Sequence, residues 1–67
     1  MSPADLLARH VSGDWGDVGA DAWAANDRAL AAGGRLLSAY TLPLGTRIWV
    51  ITEADRSATT VLTLAED

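Results

Sequence analysis

A chain of 67 residues forms one domain at most and buries only about 60% of its unfolded surface, so its stability would gain from a partner. It contains no cysteine, which removes disulfides and thiolate metal sites and fits a reducing cytosol. A hydrophobic fraction of 49% predicts a folded globule, while a net charge of −4, with five arginines scattered among nine carboxylates, argues against nucleic-acid binding.

An acidic mimic of DNA calls for a dense row of carboxylates, which this small excess does not strongly favour. No apolar run reaches the roughly eighteen residues of a membrane span, and the Met1 to Asp5 start lacks the basic and apolar regions of a signal peptide. The expectation is a cytoplasmic protein with no membrane association.

Ser2-Pro3-Ala4-Asp5 reads as a helix start, with Ser2 as cap, Pro3 at the first helical position and Asp5 in the first turn. The helix is expected over 3–11, with Leu6, Leu7, His10 and Val11 on one apolar stripe. Ser12-Gly13 ends it. In the loop Gly13-Asp14-Trp15-Gly16-Asp17, Trp15 is expected to fold inward between the helices with its indole N–H on a carbonyl.

A second helix is expected over 20–32, rich in alanine and stopped by Gly33-Gly34. Trp23, Asn26 and Leu30 share its inner face with Ala22 and Ala29, leaving Asp21, Asp27 and Arg28 toward solvent. Asn26 is the polar member of that stripe. A buried amide needs partners, expected in the Trp15 loop or at a strand end.

From Arg35 the period becomes strand-like, with runs at 35–42, 46–53 and 58–64 rich in β-branched and aromatic residues. Turns at Pro43-Leu44-Gly45 and Ala54–Ser57 are short enough to require antiparallel neighbours. The predicted fold class is therefore α+β, two N-terminal helices packed on a three-stranded antiparallel meander. Alternation in the central strand separates Ile48, Val50 and Thr52 from Arg47, Trp49, Ile51 and Glu53. Helices over the first set leave Trp49 and Ile51 on a second apolar face with Leu37, Ala39, Leu62 and Leu64, although the opposite assignment is equally compatible with the pattern.

Little in the chain spells out a reaction. His10 is the sole histidine, so no multi-histidine metal site can be built, and Ser12, Ser38 and Ser57 lack a nucleophile-elbow context. Asp14 and Asp17, or Glu53 and Asp55, could converge on a cation but lack a recognisable ligand loop. No cofactor, metal site or catalytic residue is assigned. The bend from Thr52 to Ser57 carries Glu53, Asp55 and Arg56 beside Trp49, either as a locally bonded turn or as the charged rim of a protein interface.

Five segments, LLARH at 6–10, GDWGD at 13–17, Asn26, RLLSAY at 35–40 and RIWVITEADRS at 47–57, resemble a family of small uncharacterised proteins from bacterial plasmids, phages and integrated elements. Some members carry the automated label "type I restriction endonuclease subunit M", but a chain this small cannot hold a methyltransferase. The resemblance implies a mobile-element setting and brings no established activity. Family members typically have an extra strand-like segment before the first helix, are more acidic before the second helix, and end in a proline-acid-tyrosine tail. This chain has Met1-Ser2, Val18-Gly19-Ala20 and Leu64–Asp67 in those places.

A three-stranded sheet in place of four would leave an edge open to another chain. The leading expectation is a non-enzymatic protein-binding module, such as an anti-CRISPR or anti-restriction inhibitor of a host defence complex. Its binding residues would be Arg47, Trp49, Ile51, Glu53, Asp55 and Arg56, with Trp15, Trp23 and Asn26 structural. The partner would be that complex or a second copy, met through a sheet edge or the apolar face. The alternatives are a small DNA-contacting regulator and a small metal-dependent hydrolase or nuclease.

Overall fold

A computed structural model describes residues 2–64, apart from the Pro3 side chain. Met1 and the 65–67 tail lie outside the described residues. The order is α1 (Pro3–Val11), α2 (Ala20–Ala32), β1 (Leu36–Thr41), β2 (Arg47–Thr52) and β3 (Thr59–Leu64). The strands form one antiparallel sheet in the order β1-β2-β3, so the fold is α+β. Each regular strand is shorter than its sequence run, because the last bonds, Leu42 N–H to Thr46 and Glu53 N–H to Ala58, already belong to the turns.

The start of α1 is fixed by a reciprocal cap. Ser2 Oγ accepts the Asp5 N–H at 3.2 Å, and Asp5 Oδ2 accepts the Ser2 N–H at 3.0 Å. Those bonds hold the Asp5 carboxyl below its ordinary pKa. The helix lies on the Ile48–Val50–Thr52 face, where Leu6 packs with Tyr40, Ile48 and Val50, and with the half-buried Leu7 and Leu42. Full burial of such aliphatic side chains is worth about 1.5–3 kcal/mol each. Val11 is not part of this stripe: it is 75% exposed, turned roughly 100° from His10 on a helix that ends there.

Helix α2 runs along the outer edge of β1. An edge is a line rather than a surface, so only one row of the helix, Trp23, Asn26 and Ala29, turns inward, while Ala22 and Leu30 are exposed. Asn26 Nδ2 donates to the Leu37 carbonyl at 2.7 Å, and its Oδ1 accepts the Leu37 N–H at 3.1 Å. A side chain thus supplies the pairing that a neighbouring strand would make.

The Gly13–Asp17 loop covers the next part of that edge. Gly16 pairs with Ala39 in a parallel bridge, with Ala39 N–H to Trp15 O at 3.0 Å and Asp17 N–H to Ala39 O at 2.6 Å. Tyr40 donates its hydroxyl to Asp14 O, and Thr41 donates to Asp17 Oδ2. Gly16 has a φ of 75°, and a Cβ there would sit 2.1 Å from Ala39 O and against the Tyr40 ring. Only glycine lets the loop approach this closely.

Trp15 is completely buried, and its ring meets His10 edge-on at 5.6 Å. Its indole N–H goes to Asp27 Oδ1 at 2.9 Å, not to a carbonyl, so Asp27 is an exposed residue with a structural partner.

Candidate protein-binding surface

The two sheet faces follow from strand parity. Arg35, Leu37, Ala39 and Thr41 lie on the face away from α1, as do Arg47, Trp49, Ile51, Glu53, Thr60, Leu62 and Leu64. The register arranges most of them in cross-strand rows: Leu37–Ile51–Thr60, Ala39–Trp49–Leu62 and Thr41–Arg47–Leu64. Ala39 and Ile51 are buried, Leu37, Trp49 and Leu64 half-buried, and Leu62 is 42% exposed. Trp49 occupies the middle of the central row.

Charged groups close both ends of this apolar strip. At one end stands Arg47, exposed and level with Thr41 and Leu64. At the other, Arg35 Nε approaches Glu53 Oε2 at 4.0 Å, both side chains about half in solvent. Exposed pairs of this kind contribute roughly 0–1 kcal/mol. Arg35, read only as the start of a strand, is the rim residue that sequence inspection missed. Its partner lies on the next strand, so no local spacing announces the pair.

Asp55 and Arg56 have local duties. Asp55 Oδ1 accepts the Ser57 N–H at 3.0 Å, and bonds from Ser57 hold the carboxyl below its ordinary pKa. Arg56 has a φ of 63° and sends Nη1 to Gly34 O at 2.6 Å and Nη2 to Ala29 O at 3.2 Å. It joins the β2–β3 turn to the end of α2. Trp49, Ile51, Arg47 and Glu53 therefore come together on one face, whereas Asp55 and Arg56 occupy the adjoining bend.

The residues considered for chemistry are dispersed. Asp14 Oδ2 binds Arg9 Nε at 2.7 Å, which pushes the carboxyl pKa down and the guanidinium up, while Arg9 also lies over the Tyr40 ring at 4.6 Å. Asp17 turns to Thr41. His10 is sealed inside, with Nδ1 2.5 Å from Ser38 Oγ and Nε2 2.8 Å from Thr52 Oγ1. Desolvation lowers its pKa. Ser12 Oγ donates to Arg9 O. Among the described residues, no three His, Asp or Glu side chains group as metal ligands, and no helix is long and apolar enough to cross a membrane.

No protein-family model matches the chain, and no curated protein or solved structure matches it.

Proposed function

We propose that this chain is a non-enzymatic, cytoplasmic protein-binding module of a mobile genetic element, inhibiting a host defence complex of the CRISPR or restriction type by occluding its surface. The observation that supports this reading is the strip centred on Trp49. A large aromatic side chain stands half-exposed among apolar neighbours, and the strip ends in Arg47 on one side and the Arg35–Glu53 pair on the other. Apolar centres with aromatic anchors and polar rims are the usual anatomy of protein interfaces. The mobile-element setting rests on the family resemblance of the 6–10, 13–17, 35–40 and 47–57 segments and Asn26.

The test is affinity capture from a native bacterial host with the wild-type chain and with Trp49→Ala, Glu53→Arg and Asp55→Arg as baits, followed by mass spectrometry. The expected result is a defence-complex subunit retained by wild type and reduced by these substitutions, with circular dichroism showing each variant folded. Equal retention by all four baits would overturn the surface. Purified wild type that leaves the captured complex fully active would overturn the inhibitory role.

A further inference from the structure

The two outer edges of the sheet are treated in opposite ways. Along β1, the outward groups of Leu37 are taken by the Asn26 amide, and those of Ala39 by Trp15 and Asp17. Along β3, the bond from Glu53 N–H to Ala58 O sets the parity, so Ala58, Thr60, Leu62 and Leu64 face β2. The N–H and C=O groups of Thr59, Val61 and Thr63 consequently point away from the sheet. Among the described residues nothing pairs with them.

Edge strands are ordinarily protected by a proline, an inward charge, a bulge or a covering loop. Strand β3, Thr59-Thr60-Val61-Leu62-Thr63-Leu64, has no proline and no charge, and its register with β2 is unbroken. It is exposed along almost its whole length.

We propose that β3 is a self-association edge: two copies pair β3 to β3 antiparallel about a two-fold axis at Val61, making one continuous six-stranded sheet. The occupant follows from symmetry. The outward residues are spaced evenly about Val61, so setting Val61 opposite its own copy places Thr59 opposite the other chain's Thr63. Every outward amide and carbonyl of both strands then finds a partner. Any other antiparallel register of the same parity leaves an outward residue beyond the end of the ladder. A neutral strand also meets its copy without like-charge repulsion, which the net charge of −4 would otherwise favour at random contacts.

Side chains and helices accommodate this arrangement. Val61 lies on the α1 face beside Val50 and is 42% exposed, so its copy covers it. The two β2 strands would stand three strand spacings apart, about 14 Å. Helices about 10 Å across, seated over those strands, fit side by side. On the other face, Leu62 of each copy stands directly opposite Thr60 of the other, joining the two Trp49 strips into one. The inference goes beyond the proposed inhibitory role and concerns a different surface, so either can fail alone.

The experiment is sedimentation velocity on the purified chain from micromolar to millimolar concentration, with Val61→Lys, Val61→Glu and Val61→Pro. Wild type should sediment at twice the 7.0 kDa chain mass. Each variant should be a folded monomer by circular dichroism, because residue 61 sends neither its N–H nor its side chain into a bond with β2. Mixing Val61→Lys with Val61→Glu at low salt should restore a mixed dimer, since the axis places the two charges together. A wild-type monomer throughout the range would overturn the proposal. So would a dimer that survives Val61→Pro, or Lys and Glu variants that stay monomeric when mixed.

Discussion

Asn26 pairs with Leu37 as a strand would, one amide group taking both the N–H and the C=O of a residue on the edge of the sheet. The contact joins α2 to β1 and closes half of that edge. Losing it leaves two backbone groups in a nearly dry site, since Asn26 itself is buried. Removing a partner from such groups costs about 1–3 kcal/mol each where water cannot replace it. Asn26→Ala should lower the denaturation free energy by roughly that amount or more. Asn26→Asp should be nearly as damaging, because a carboxylate cannot donate to the Leu37 carbonyl. Urea melts would check both, and an Asp variant as stable as wild type would refute the strand-like pairing.

Gly13 and Gly16 both have a positive φ, 86° and 75°, but their surroundings differ. A Cβ at Gly13 meets nothing within 4 Å, whereas one at Gly16 strikes the Ala39 carbonyl and the Tyr40 ring. Gly13→Ala should cost about 1–2 kcal/mol, the strain of a left-handed residue alone. Gly16→Ala should cost clearly more and loosen the loop from β1. Hydrogen exchange at the Ala39 amide, which bonds Trp15 O, reads this directly. Equal destabilisation by the two substitutions would contradict the close approach.

Arg56 combines a strained backbone with a bonded side chain. Its guanidinium reaches the Gly34 carbonyl just past α2 and the Ala29 carbonyl, which also accepts the Gly33 and Gly34 N–H groups. Arg56→Ala keeps the unfavourable φ and loses the bonds, whereas Arg56→Gly loses the bonds and relieves the strain. Both should melt below wild type, with glycine above alanine. Because both variants lack the bonds, the reverse order would show that the positive φ of residue 56 does not strain the turn.

The helices and the meander are legible because they rest on local signals: the Ser2-Pro3 start, the glycines after Ala32, and three β-rich runs divided by short turns. Asn26 could be marked as a buried amide from its place on the helix, but its partner is set by how α2 meets β1. Asp17 and Asp27 look like solvated carboxylates in sequence, and both accept bonds from distant residues. The apolar strip around Trp49 was readable by alternation, though choosing its face required knowing that Leu6 and His10 sit on the other side. What closes the β1 edge is a side-chain amide and a loop, features with no periodic signature.

His10 supplies a test by acid. Its ring bridges Ser38 and Thr52, Thr52 Oγ1 in turn lies 3.0 Å from Thr59 Oγ1, and Trp15 packs edge-on against it. These neighbours are hydroxyls and an indole, so no carboxylate offsets the cost of charging a buried imidazole, and its pKa falls below the ordinary 6.5. In the unfolded chain it regains the ordinary value. Below that pH the unfolded state binds a proton that the folded state refuses, so stability should be level above about pH 7 and decline as pH falls from 6.5 toward the folded pKa. The slope cannot exceed about 1.4 kcal/mol per pH unit for one group. Asp5, Asp14 and Asp55 have lowered pKa values, so their contributions are lost only as the pH falls below the ordinary carboxylate value of 3.8. Guanidinium melts through the intermediate range therefore isolate His10. His10→Gln should be less stable at neutral pH yet lose the slope, and proton NMR of the single imidazole should show titration below 6.5. A slope that survives His10→Gln would mean that another group senses the acid.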